Sequence, residues 1–103
     1  MNELTREEIT EIIEAAPFAH IGVVSHGEPY VTPISYVTFG DRRIAFRSVT
    51  GKRLDAIAAN PRVSVEVTEH NEETGAWRCV IADGHAVVIE NPHDEESIIQ
   101  KLR

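Results

Sequence analysis

Val63, Val65 and Val67 alternate with Ser64, Glu66 and Thr68. A period of two sends the valines to one face of a strand and the polar residues to the other. This strand is one of several that arrive in runs. Residues 18–25, 30–39 and 43–48 read as strands, parted by His26-Gly27-Glu28-Pro29 and by Gly40-Asp41. Such a series predicts an antiparallel meander. Pro33 cannot donate to a ladder, so the second strand is expected to be an edge, bulged, or open on one side there. After the valine strand, residues 69–75 read as a polar, flexible loop. Residues 76–82 and 85–90 read as strands, with Asp83-Gly84 as a turn or bulge between them.

Helical patterns are few. Thr5 and Glu8 have capping-box spacing, Ile9, Ile12, Ile13 and Ala16 follow at helical intervals, and Pro17 stops the run. Residues 51–59 predict a short helix with Leu54, Ile57 and Ala58 on its apolar face, ended by Asn60-Pro61. Asn91-Pro92 opens a third pattern. Asp94, Glu95 and Glu96 fill its first turn, Lys101 and Arg103 its last, and Ile98, Ile99 and Leu102 its apolar side. About six strands with three short helices predict a small antiparallel barrel decorated by helices. Strands in runs argue against a doubly wound parallel fold.

Length predicts one domain, residues 1–103, with a single modest core. The polar, acidic start MNELTREEIT is unlike a signal peptide, and no apolar run approaches a membrane span. The single cysteine, Cys79, excludes an internal disulfide and fits a cytoplasmic location. A formal net charge of −7 argues against a nucleic-acid partner.

Against that acidic background, residues 42–62 hold six of the ten basic residues and one acid, Asp55. Their order matters. A strand-like run ending in Phe46 and Arg47 leads into a polar turn of Ser48, Thr50 and Gly51, and Lys52 and Arg53 open a helix. Helix starts offer free N–H groups and positive potential, which suits a phosphate. Arg42, Arg43 and Arg62 read as surface charges. The glycine spacing of a Walker A loop is absent.

Three stretches, GEPYVTPISY, IAFRSVTGKRLDAIAANPRVSVEV and WRCVIADGHAVVIE, carry a resemblance. Their order and spacing over residues 18–90 resemble the pyridoxamine 5'-phosphate oxidase-like, FMN-binding split-barrel proteins, including their nitroimidazole-reductase-like branch. The resemblance implies a six-stranded split barrel that binds FMN at a homodimer interface. It places Arg47, Ser48, Lys52 and Arg53 on the FMN phosphate. It places Thr32, Pro33, Ile34 and Ser35 along the isoalloxazine ring, largely through backbone groups, and Trp77 and Arg78 at the partner's side of the site. Many members of the reductase-like branch have His where Arg47 stands, and some relatives have a polar residue where Cys79 stands. Family members usually continue into another strand, so a chain ending at Arg103 is expected to be a short member or a fragment lacking a final strand.

The remaining candidates are bland. His20, His26, His70, His85 and His93 show no metal-ligand spacing, and no metal site is expected. His20, among apolar residues, reads as a hydrogen-bonded core histidine in preference to a haem ligand. Glu69, Glu72 and Glu73 read as solvated charges. The expected function is hydride or electron transfer from a reduced flavin or nicotinamide donor to a small organic substrate. The cofactor would carry the chemistry, and no protein acid or base is obligatory. A deazaflavin or haem in the same fold, and a cofactor-free dimeric binding module, stay open as alternatives. No membrane partner is expected.

Overall fold

The computed structural model describes residues 3–38, 43–48, 51–89 and 97–102. Helix α1 (Arg6–Ala15) starts as its sequence dictates. Thr5 Oγ1 accepts from the Glu8 backbone N–H at 3.1 Å, and Glu8 Oε1 accepts from the Thr5 N–H at 2.9 Å. Two orphan donors are thereby satisfied. Ile12 is buried, and Ile9, Ile13 and Ala16 pack at its sides.

Strands β1 (Ala19–Ser25) and β2 (Glu28–Ile34) form a hairpin around His26 and Gly27. Both have positive φ, 52° and 78°, as a two-residue type I′ turn requires. That turn makes Ser25 and Glu28 a hydrogen-bonded pair, and pairing alternates from there. Thr32 and Ile34 therefore direct their backbone groups to β1. Pro29, Val31 and Pro33 direct theirs to the open edge, since β2 ends the sheet. Both prolines sit where no ladder donor is missed.

The chain continues through β3 (Val37–Thr38), β4 (Arg43–Arg47), α2 (Lys52–Ala59), β5 (Arg62–His70), β6 (Trp77–Ile89) and β7 (Ser97–Leu102). The seven strands form one antiparallel sheet in the order β2-β1-β5-β6-β7-β4-β3. The architecture is a mainly β split barrel with short helices. Ile21, Val23, Ile34, Ile44, Phe46, Val63, Val65, Val67, Val80, Ala82 and Ala86 line its interior. Leu54, Ala56 and Ile57 of α2 pack into the same core.

Several sequence expectations need correction. Residues 97–102 are a strand and not the end of a third helix; β7 pairs with β6 on one side and β4 on the other. The expected start of that helix, Asn91 to Glu96, lies outside the described residues, as does the Gly40-Asp41 turn. Asp83-Gly84 is continuous strand, with Gly84 opposite both Val63 and Leu102. The expected second strand is broken between β2 and β3, where Tyr36 donates its hydroxyl to Ile13 O at 2.6 Å. Burial raises the Tyr36 phenol above its ordinary pKa. Glu69 and His70 belong to β5, and the β5–β6 loop is held by Asn71 Oδ1, which accepts from Glu73 and Thr74 N–H groups.

The hairpin turn gives a clean test. A Cβ at Gly27 would meet nothing within 4 Å, so only backbone conformation opposes a side chain there. Gly27→Ala is expected to cost about 1 kcal/mol, read as a fall of roughly 4–8 °C in Tm.

Candidate functional site

Arg53 occupies the first turn of α2, one residue after Lys52. Its guanidinium reaches in three directions. Nε–H donates to Ser48 Oγ at 3.3 Å, and Nη1 donates to Thr32 Oγ1 at 3.0 Å and to Pro33 O at 3.4 Å. Pro33 O is available because it faces the open edge of β2. The Phe46 ring lies 5.5 Å from the guanidinium carbon. Ser48 is 3 % exposed, at the end of β4. Arg53 thus bridges the β2 edge and the end of β4, which lie far apart in strand order.

Lys52 Nζ stands 4.4 Å over the Tyr30 ring, also on β2. Gly51 is the N-cap of α2 and makes no side-chain cap. The first N–H groups of α2 therefore receive no capping oxygen from that residue. Among the described residues no carboxylate pairs with Lys52 or Arg53. Arg47 is exposed and has its own partner. Val49 and Thr50 lie outside the described residues.

The structure brings Thr32, Pro33, Ser48, Lys52 and Arg53 together. Ile34 buries its side chain in the core, and Ser35 is exposed just past β2. Trp77 and Arg78 are elsewhere in the chain. The register runs Thr32–Ile21–Val65–Ala82, and Trp77 lies about 17 Å along β6 from Ala82 at the usual strand rise. Trp77 is exposed and stacks on His70, its cross-strand partner, with centroids 4.1 Å apart. Arg78 turns to the other face and holds acids. It binds Glu69 through two hydrogen bonds, 2.7 and 2.9 Å, and approaches Glu8 at 3.4 Å and Glu11 at 3.7 Å. The Glu69 hydrogen bonds raise the Arg78 guanidinium above its ordinary pKa. The Thr5 backbone, more than Arg78, lowers that of Glu8.

Sequence reasoning missed Tyr30 beneath Lys52 and the hydroxyl of Thr32 as the acceptor for Arg53. It also misplaced His20. This side chain is on the outer face of β1, not in the core, with Nδ1 3.3 Å from Glu66 Oε1. Strict alternation along Ala19, Ile21 and Val23 carried the outward signal. Among the described residues no group of three or more His, Cys, Asp or Glu could hold a metal ion, and no helix is long and apolar enough to cross a membrane.

Comparison with known proteins decides the family. The Pyridoxamine 5'-phosphate oxidase family model matches residues 5–103. This chain belongs to that family. It is 30 % identical over 81 residues to the uncharacterized protein RA0666 of Rhizobium meliloti (strain 1021), a match covering 79 % of this chain and 52 % of the relative. The chain thus spans about half the length of that curated relative. A FAD-binding protein from Mesorhizobium loti superposes with a TM-score of 0.85 at 23 % identity, covering 97 % of this chain and 91 % of the other. A putative 5-nitroimidazole antibiotic resistance protein from Bacteroides thetaiotaomicron superposes with a TM-score of 0.81 at 14 % identity, covering 99 % and 82 %. These likenesses establish the fold.

The Arg53 bridge makes a prediction about stability. Arg53→Lys keeps the charge but cannot serve Ser48 and Thr32 together, so the charge-assisted tie between β2 and the end of β4 is broken on one side. It is expected to cost about 2 kcal/mol in urea unfolding.

Proposed function

We propose that this chain is a dimeric flavoprotein that binds FMN and reduces a small organic substrate. One observation carries the reading: Lys52 and Arg53 open a helix, and among the described residues no carboxylate pairs with either, in a chain of net charge −7 whose Arg78 has attracted three acids. A dianionic phosphate satisfies such a place through charge-assisted hydrogen bonds and the α2 N–H groups.

In this reading Lys52, Arg53, Arg47 and Ser48 hold the phosphate. The Thr32–Ser35 stretch flanks the ring, with the Val31 N–H as the strand's donor at the open edge. A bound flavin would supply hydride or electron transfer. The protein orients it, keeps its phosphate fixed and shields the ring from water. The Mesorhizobium loti neighbour is a FAD-binding protein, so FAD is the nearest alternative occupant; it offers phosphate groups to the same cations.

The second copy is proposed from the outer face of the sheet. Val31, Trp77, Ile81 and Val87 are 63, 66, 70 and 61 % exposed there. An apolar face of this kind suits a partner surface. It would also bring Trp77 of one protomer toward the other's flavin.

Purified protein is expected to show flavin absorption, or to gain thermal stability when FMN is added. A colourless protein that FMN does not stabilise would sink the proposal, and chromatography of any released chromophore separates FMN, FAD, deazaflavin and haem. Lys52→Ala should weaken FMN at least tenfold while leaving riboflavin within about twofold, because only FMN carries the phosphate. Ile81→Arg is expected to convert the dimer to monomer by light scattering and to weaken FMN binding with it.

A further inference from the structure

The outer face of β1 carries an arrangement that the cofactor site does not use. His20 Nδ1 meets Glu66 Oε1 at 3.3 Å, and the other carboxylate oxygen, Oε2, accepts the Thr68 hydroxyl at 2.6 Å. Glu66 is thereby fixed from behind. A carboxylate at Nδ1 favours the tautomer with its proton there, which leaves Nε2 as the atom that gains or loses a proton. Among the described residues Nε2 has no hydrogen-bond partner, and the side chain is 45 % exposed in the single chain, within the face proposed above for the second copy. The edge of the imidazole is set by Phe18, packed T-shaped at 5.5 Å.

The register places this imidazole. His20 lies directly opposite Pro33 in the β1–β2 ladder. Counting from the Ser25–Glu28 pair, His20 and Pro33 form a non-hydrogen-bonded pair, where cross-strand side chains stand closest. Both side chains point outward, and Pro33 belongs to the stretch proposed to flank the flavin ring. The charged or titratable side chain facing His20 from β5 is Glu66. Pro33 and Val31 of β2 bring no charge, and Ile81 of β6 lies beyond Glu66 in the same row.

We propose that His20 is the proton donor of this site and Glu66 its positioning residue, an inference that rests on the flavin reading. A bound reduced flavin would supply a hydride to one atom of the substrate's acceptor double bond and be oxidised in doing so. The other atom would gain a proton. There the His20 Nε2–H bond breaks, the new bond to hydrogen forms, and the imidazolium becomes neutral imidazole that solvent reprotonates.

The test uses FMN-loaded protein reduced with dithionite and mixed anaerobically with 2-cyclohexenone at pH 7. His20→Gln should be reoxidised about 100-fold more slowly than wild type, while Glu66→Gln should be about tenfold slower. A second readout needs no turnover: the His20 ring signals in the NMR spectrum of cofactor-free protein should move on addition of stoichiometric FMN. FMN affinity within twofold of wild type in His20→Gln keeps the two readings separable. Failure of wild-type protein to bind FMN overturns the flavin reading. Normal binding, with unmoved His20 signals and a wild-type reoxidation rate in His20→Gln, overturns the role of His20 alone.

Discussion

A sheet that begins at β2 and ends at β3 has two free ends, and Arg53 ties one to the neighbourhood of the other. Its side chain starts on α2, reaches back to Ser48 after β4, and forward to Thr32 and Pro33 on β2. Neutral acceptors do all of this holding. Hydrogen bonds from a charged donor are stronger than neutral ones, yet they leave the formal charge uncompensated. The residue that closes the barrel is therefore also a source of positive potential at its seam. Stability and local positive potential share one side chain, and Lys52 beside it can be altered with less risk to the fold.

Charge is sorted across the molecule. Helix α1 supplies Glu8 and Glu11, and β5 supplies Glu69, all of which meet at Arg78. That cluster pins α1 to the β5–β6 hairpin and consumes one cation locally. Asp55 lies in the first turn of α2, yet among the described residues no carboxylate pairs with Lys52 or Arg53 there. An acidic chain repels most anions at long range, and a basic corner whose donors are already oriented is where that repulsion is weakest.

Local signals in the sequence were honest where the interactions were local. The α1 cap, the His26-Gly27 turn and the Val63–Val65–Val67 face each involve residues a few positions apart, and the chain spells them out. Residues 97–102 mislead, because Ile98, Ile99 and Leu102 with basic residues after them fit a helix. Ladders from β6 and β4 override that preference, and neither ladder is visible nearby in the chain. Asp83-Gly84 misleads similarly: turn chemistry is outvoted by strands on both sides. At the site, the basic residues were legible as a cluster. Their acceptors were not, since Thr32 lies 21 positions before Arg53 and is joined to it only by folding. His20 misleads because apolar neighbours on both sides mask its place in a period of two.

The prolines of β2 have an effect on what may approach that edge. An exposed strand edge is ordinarily an invitation to another strand, because N–H and C=O groups alternate along it. Here Pro29 and Pro33 erase two of the three outward donor positions, and Arg53 claims the carbonyl of Pro33. A second β-strand docking there would find Val31 as its one donor within β2. The edge is thus poorly suited to sheet growth, and what it still offers a neighbour is one N–H and the carbonyls that Arg53 leaves unclaimed.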